Sequence, residues 1–186
     1  MSRRRVREEK AARRMQMLQR YAQQRARNAA AKPGPLPFAL VLDNLKAGYN
    51  VAKIFRSAEA FGAAEIHLVN IGPFDPAPAK GAFRKVPARF HETFDTAYAD
   101  LGQRGFTLFA LLPDAAESLP ETRLPGDAAF VFGHEEHGLS FDPANYPDIR
   151  PLRIPQAGTM QSLNVSVAAS IAMYEYLCQR RASPAQ

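Results

Sequence analysis

Beyond position 37, apolar residues fall into short uninterrupted runs, which is the pattern of strands buried on both faces of a sheet. The predicted strands are residues 38–42, 66–70, 106–112, 128–132 and 149–154. Polar or Pro-rich segments separate them, and the longest of these is the loop 71–88 with its small basic cluster. The pattern therefore predicts a sheet whose strands are mostly interior.

The segment 51–61 has a different pattern, because its apolar side chains recur at the spacing of one helix face. Asn50 is placed to be the N-cap of this helix, and Gly62 is placed to end it. Further helices are expected around 93–103 and after the last strand, ending near Arg181. Strands that alternate with helices predict an α/β fold with a mostly parallel sheet.

In such sheets, ligands bind where loops leave the carboxyl ends of the strands. Three loops of this kind are enriched in Gly, Asn, Glu or Ser: residues 43–50, 133–140 and 155–163. These three loops are the first candidates for a functional site.

The N-terminal segment, residues 1–32, is strongly basic, whereas the rest of the chain is not. It holds 11 Lys or Arg against two Glu, a net charge of +9, and the remaining residues have a net charge of −3. Its Ala, Gln, Arg and Met residues favour a helix, and the Pro-rich stretch 33–37 follows as a stiff hinge. We expect a basic helical arm, then this hinge, then one domain over 38–186. Arg binds phosphate in a forked geometry, so the arm is predicted to contact nucleic acid. The alternative is a solvated tail that aids solubility.

Composition narrows the setting in which the protein works. An apolar fraction of 46% suits a globular core. The sequence has no run of 18 apolar residues, so no membrane-spanning segment is predicted. The basic N-terminus lacks the apolar stretch of a signal peptide, and Glu8 and Glu9 argue against a transit peptide. The single cysteine, Cys178, excludes an intrachain disulfide and a thiolate metal site. A reducing, cytoplasmic location is the expectation.

Several familiar motifs are absent. In FGHEEHGLS, His134 and His137 are three residues apart, whereas a zinc-binding helix needs four. His67 and His91 could add ligands, but nothing in the sequence places them, so no metal is predicted. The chain also lacks the Gly-x-Gly-x-x-Gly of dinucleotide-binding folds, the phosphate-binding P-loop and the Gly-x-Ser-x-Gly of hydrolases.

What remains is a set of polar residues at strand ends and helix starts. Its members are Asn50, Arg56, Glu135, Ser162 and Asn164. Each alone has an ordinary explanation: Asn50 and Ser162 could be helix caps, Asn164 could lie in a first helical turn, and Arg56 could be an exposed charge.

Together with their neighbours, these residues form three motifs. NVAKIFRSAEAFG, FGHEEHGLS and IPQAGTMQSLNVSVAASIAMYEY resemble, in this order, the three motifs of the SpoU/TrmH branch of the SPOUT RNA methyltransferases. They span residues 38–181, and the third motif is the most specific. The sequence differs from the family's motifs at three places. It has Ala47-Gly48-Tyr49 in place of Asp-Pro-Gly, His134 in place of Asn and Gln156 in place of Met.

The resemblance implies a fold, a cofactor and a reaction. Proteins of this family transfer a methyl group from S-adenosylmethionine (SAM) to a ribose 2′-hydroxyl of tRNA or rRNA, as dimers with the site at the subunit interface. Their C-terminal chain forms a deep trefoil knot. By carry-over, the catalytic residues are Asn50, Arg56, Glu135, Ser162 and Asn164. The carried-over cofactor site comprises Leu111, Leu112, Gly133, Ile154, Gln156, Ser162 and Leu163. RNA binding is assigned to Arg3, Arg4, Arg5, Arg7, Arg13, Arg14, Arg84 and Lys85.

The family arginine, here Arg56, is sometimes described as a general base. Guanidinium loses a proton only above about pH 12, so we expect Arg56 instead to grip a phosphate and stabilise the developing oxyanion. The expected substrate is tRNA, with a D-loop guanosine as the candidate nucleotide. The alternatives are 2′-O-methylation of 23S rRNA and a non-catalytic RNA-binding protein that has kept the fold.

Overall fold

The computed structural model describes residues 3–182, with side chains from residue 5 onward. Its helices are α1 (Arg3–Asn28), α2 (Tyr49–Phe61), α3 (Phe94–Gln103) and α4 (Val165–Ala182). Its strands are β1 (Leu36–Asp43), β2 (Ala63–Val69), β3 (Ala88–His91), β4 (Thr107–Leu111), β5 (Glu117–Ser118), β6 (Ala128–Phe132) and β7 (Arg150–Arg153). Within the described residues, no helix is both long and apolar enough to cross a membrane.

The seven strands form one sheet in the order β3-β2-β1-β6-β4-β7-β5, and every neighbouring pair is parallel. The prediction of an α/β fold with a mostly parallel sheet is therefore confirmed. The sequence pattern missed β3 and β5. Both are short and carry charged residues such as Arg89 and Glu117, so neither has the apolar run of an interior strand.

The interior strand β1 shows how the two faces of the sheet are covered. Phe38, Leu40 and Leu42 lie in the core beneath α2 and α4, whereas Ala39 and Val41 lie in the core beneath α3. All five are fully buried, as expected for a strand covered on both faces. Because the strands are parallel, their carboxyl ends meet at one edge of the sheet, and the loops from that edge build the site.

Two helix caps differ from the predictions. α2 begins at Tyr49 after Gly48, with no side-chain cap, so the prediction that Asn50 is the N-cap was wrong. At the other end, Gly62 has a φ of 76° and ends α2 as predicted. The cap of α4 is Asn164 rather than Ser162, because Oδ1 of Asn164 accepts a hydrogen bond from the backbone N–H of Ser166 at 3.0 Å.

The second half of α1 is docked on the domain. Tyr21 is 5% exposed and packs against the rings of Phe74 and Phe83. Asn28 is also buried: its side-chain amide donates to the carbonyl oxygens of Phe83 and Val86, and its Oδ1 accepts from the N–H of Ala88. The amide thus satisfies backbone groups that would otherwise lack partners at the start of β3.

Candidate active site at the carboxyl edge of the sheet

One cavity lies where β4, β6 and β7 end and α4 begins. Its volume is about 370 Å³, which is in the range of small-molecule sites in proteins. The walls combine apolar side chains with loop backbone. The lining residues include Leu111, Leu112, Gly133, Glu135, Glu136, Gly138, Leu139, Leu152, Ile154, Gln156, Ser162, Leu163, Asn164 and Val165.

All seven residues carried over as the cofactor site line this cavity. They come from three separate parts of the chain: the end of β4, the loop after β6 and the segment between β7 and α4. Two of the three loops singled out from the sequence, 133–140 and 155–163, therefore contribute to one site. The third, 43–50, reaches it through a side chain at its end.

That side chain is Asn50, and it joins the three sequence motifs. Its Nδ2 donates to Oε1 of Glu135 at 2.8 Å, and its Oδ1 accepts from Nδ2 of Asn164 at 3.3 Å. Asn164 in turn holds α4, because its Oδ1 accepts from the backbone N–H and from the hydroxyl of Ser166. α2, the loop after β6 and the start of α4 are thus held together by two carboxamides and one carboxylate.

The loop after β6 turns back on itself tightly. The N–H of His134 donates to the carbonyl of Gly138 at 2.7 Å, and the N–H of Gly138 donates back to the carbonyl of His134 at 2.9 Å. A Cβ at Gly133 would lie 2.5 Å from the carbonyl carbon of Gly138, so only glycine fits there. Nδ1 of His134 accepts the N–H of Glu136 at 3.0 Å. This imidazole stabilises the turn at the position where the motif that the sequence resembles has Asn.

A buried carboxylate fixes the far end of this loop. Asp43, the last residue of β1, is fully buried. Its two oxygens accept from the N–H of Ser140 at 2.6 Å and from the hydroxyl of Ser140 at 2.7 Å. Asp43 was not among the residues singled out from the sequence. The available signal was an acidic residue directly after an interior strand, where ligand-binding loops begin.

The charges around the cavity suit a cationic ligand. Glu135 and Glu136 line it, and among the residues that the structure describes no Lys or Arg does. The donor part of SAM carries a positively charged sulfonium, and the apolar walls from Leu111, Leu152 and Ile154 suit a purine ring. The residues present therefore fit SAM, with the carboxylates providing the charge complementarity.

Comparison with known proteins agrees with this geometry. Residues 37–174 match the SpoU rRNA Methylase family. The chain belongs to this family. The match covers the sheet except Leu36 and the first ten residues of α4, so the resemblance to the SpoU family seen in the three motifs is confirmed.

Three relatives illustrate the range of the SpoU family. The tRNA (guanosine(18)-2′-O)-methyltransferase of Thermus thermophilus is 33% identical over 76% of this chain and 74% of its own length. The 23S rRNA (guanosine-2′-O-)-methyltransferase of Ralstonia nicotianae is 31% identical over 82% of this chain and 63% of its own length. A solved structure concerned with 2′-OH methylation of C/U34 on tRNA is 27% identical, with a TM-score of 0.71, and covers 81% of this chain and 100% of its own.

The SpoU-family arginine, Arg56, lies away from the cavity. It is exposed on α2, six residues beyond Asn50. Its side chain makes no hydrogen bond or ion pair with any described residue, and it does not line the cavity. Arg56 therefore makes no hydrogen bond with Ser162 or Asn164 within this single chain.

The residues assigned to RNA binding fall into different environments. Arg5, Arg7, Arg13 and Arg14 are exposed on α1, whereas the side chains of Arg3 and Arg4 lie outside the described part. In the loop after β2, Lys85 forms an exposed ion pair with Glu59 at 2.6 Å, which offsets its charge. Arg84 is exposed and has no ion pair with a described residue.

A second polar cluster lies between α3, β2 and β3. Nδ1 of His67 and Nε2 of His91 are 2.9 Å apart, and Asp100 is close enough that the three could in principle hold a metal ion. Two observations disfavour this. The imidazole nitrogens already bond to each other and to Glu65, and Asp100 lies 3.8 Å from Arg89 and 3.2 Å from Arg104.

Glu65 is the anionic centre of this cluster. Its burial alone would raise the pKa of the carboxyl, but hydrogen bonds from His67, Arg104 and Arg89 outweigh that effect and lower the pKa to about 2. Burial also lowers the pKa of His91. The cluster therefore ties α3 to the edge of the sheet through an ionised carboxylate.

Proposed function

We propose that the protein is an RNA methyltransferase that uses SAM to methylate a ribose 2′-hydroxyl of tRNA, with a guanosine as the target. The observation that carries the proposal is the junction of Asn50, Glu135 and Asn164 at the mouth of an acidic, partly apolar cavity. Membership of the SpoU family supports the chemistry. The relative from Thermus thermophilus, whose name specifies guanosine 18 of tRNA, supports the substrate.

The cavity residues would hold SAM as follows. Leu111, Ile154 and Leu163 would pack against the adenine, while backbone groups next to Gly133 and Gln156 would bind its polar edge. Bound there, SAM supplies an electrophilic methyl group on a sulfonium. Holding two reactants in a reactive alignment can contribute about 7–11 kcal/mol to catalysis.

The polar junction would position the ribose. Ser162 lines the cavity together with Asn164, so it would orient the acceptor nucleotide. Asn50 and Asn164 would keep Glu135 and the start of α4 in register with the cavity. Arg56 would bind phosphate and stabilise negative charge on the 2′-oxygen while the hydroxyl proton passes to solvent water.

Since Arg56 lies away from the cavity of its own chain, we propose a homodimer in which Arg56 reaches the partner's cavity. α4 offers a surface for this. Val167, Ile171, Tyr174 and Cys178 share one face of α4, and Val167 is 47% and Tyr174 57% exposed. A second copy would cover these apolar side chains and bring α2 of one chain towards the site of the other. We also propose that the segment before α4 passes through the loop after β6 as the family's trefoil knot.

The test is incubation of the purified protein with methyl-labelled SAM and separate pools of tRNA and rRNA. Label in the ribose of tRNA supports the proposal, and label in 23S rRNA supports the runner-up, to which the relative from Ralstonia nicotianae points. Label in neither pool, with RNA still bound, would identify a non-catalytic RNA-binding protein.

A further inference from the structure

The basic helix α1 has two halves with different environments. From residue 17 onward, several side chains are partly or fully buried against the domain, whereas every side chain from 5 to 16 is exposed. Residues 3–16 therefore overhang the domain by roughly 21 Å, at 1.5 Å per residue. An isolated helix of this length is marginal in water, so the docked half supports the overhanging half.

The docked half also connects α1 to α2, the helix that carries Asn50 and Arg56. Tyr21 stacks on Phe83, with ring centroids 5.6 Å apart, and lies edge-on to Phe74 at 5.3 Å. Phe83 and Phe74 pack in turn on Phe55 of α2, at 4.9 and 6.0 Å. Arg56 follows directly. Close-packed rings leave little room for relative movement, so α1 has a fixed orientation relative to α2.

The face of α1 that docks continues into the overhang as a row of cations. Residues three or four apart share one face of an α-helix. One such series runs through Arg7, Lys10, Arg14, Met17, Tyr21, Gln24 and Asn28. Its last members contact the domain and its first three are exposed cations. Glu8 and Glu9 fall outside the series. The cationic row therefore faces the side of α1 on which the domain lies.

We propose that the overhanging half of α1 is a rigid RNA-positioning arm. Its row of Arg7, Lys10 and Arg14 binds backbone phosphates. The docked half sets the distance and angle between these phosphates and the reacting ribose. This inference rests on the proposed function, and RNA is the occupant because a row of cations is complementary to a phosphate backbone. Base-specific readout is not expected from this row.

The first test compares two triple variants with the same change in net charge. R7Q/K10Q/R14Q removes the row, and R20Q/R27Q/R123Q removes three cations that lie outside the series and are not assigned to RNA binding. All six side chains are exposed, so circular dichroism and melting should match wild type. Binding is measured by fluorescence anisotropy with a fluorescein-labelled tRNA transcript, over a range of salt concentrations.

The row variant should weaken binding by about tenfold or more and reduce the salt slope by about one per cation removed. The matched variant should weaken binding by less than about threefold. The KM for the transcript should rise with the row variant, while kcat at saturating RNA is kept. Equal losses from both triples would overturn the inference, because they would show that only total charge matters.

The second test changes the phase of the helix. Two alanines inserted between Met15 and Gln16 rotate the overhang by about 200°, whereas four rotate it by about 40° and lengthen it by about 6 Å. The two-residue insertion should reproduce the loss of the row variant, and the four-residue insertion should keep most of the binding. Equal binding by both insertions would indicate a flexible tether instead. These readouts use binding, so they remain decisive if no methyl transfer to tRNA is found, an outcome that would count against the proposed function alone.

Discussion

Asn50 donates a hydrogen bond of 2.8 Å to Glu135, and this bond joins the start of α2 to the loop after β6. The two residues are 85 positions apart in the chain. Asn50 also accepts from Asn164, so one carboxamide holds the three motifs together. α2 has no side-chain cap because its N-cap residue is Gly48, and the amide of Asn50, inside the first turn, is engaged across the site instead.

This link predicts the effect of replacing Asn50. Asn50→Ala should lower kcat by about 100-fold, because small displacements of positioning groups cost that much. The affinity for SAM, measured by calorimetry, should change much less, since the cavity walls remain. Asn50→Asp serves as the control: it keeps the shape but places two carboxylates together, so its activity should recover as the pH is lowered. A wild-type kcat for Asn50→Ala would contradict the role assigned here.

Replacing Asp43 is expected to lower both the stability of the protein and its affinity for the cofactor. Asp43→Ala leaves the N–H and hydroxyl of Ser140 without their charged acceptor, which should lower the free energy of unfolding by about 2–3 kcal/mol. Urea titration measures this. The loop also forms a wall of the cavity, so SAM should bind more weakly. Ser140→Ala removes only one of the two hydrogen bonds and should lower the free energy of unfolding by about 1 kcal/mol. A loss for Ser140→Ala larger than that for Asp43→Ala would contradict the role assigned to Asp43.

Glu65 predicts a pH dependence of stability. Its pKa is lowered in the folded state to about 2 from 4.5, so its contribution is present above about pH 4.5 and is lost as the pH falls towards 2. The size of this contribution is at most about 3 kcal/mol, at 1.36 kcal/mol per pKa unit.

Urea unfolding of wild type and Glu65→Gln at pH 7 and pH 3 tests this. The two proteins should differ most at pH 7 and converge at low pH. Glu59→Gln is a suitable control, because its pair with Lys85 is exposed and should matter little. A constant difference between Glu65→Gln and wild type across this range would show that the carboxylate charge is not responsible.

The placing of Arg56 predicts complementation between two inactive variants. Arg56→Ala should lower kcat by about 10²–10³-fold while SAM binding is kept, as for the loss of an oxyanion-stabilising group. Glu135→Ala should also impair turnover. If Arg56 acts in the partner's cavity, mixed dimers of the two variants contain one intact site, so random mixing should restore about a quarter of wild-type activity. Mixtures no more active than their components would place Arg56 in its own site or rule out the dimer.

Parts of the fold followed directly from the sequence, and the physical reasons differ between elements. β6 was predicted with its exact bounds because a fully buried strand must be apolar at every position. β3 could not be predicted in this way, since it pairs on one side only and carries Arg89 and His91 on a polar cluster.

The strand pattern predicted the loops of the candidate site, but its individual residues followed from the sequence only through the family motifs. Local rules assigned Asn50 as a cap, because asparagine is favoured at that position, but a partner distant in sequence decides what its side chain binds. Asp43 was missed for a related reason: its role depends on Ser140, and no local pattern connects the two.

Asn28 has a consequence for how the chain can be divided. Its amide occupies two carbonyls and one N–H beside the outermost strand of the sheet, and Tyr21 shields Phe74 and Phe83 from water. A fragment that starts at the Pro-rich stretch would present an open strand edge and bare aromatic rings, the surface from which proteins aggregate. An N-terminal truncation that keeps the domain intact should therefore remove no residue beyond 16, so that the docked turns of α1 remain attached to the domain.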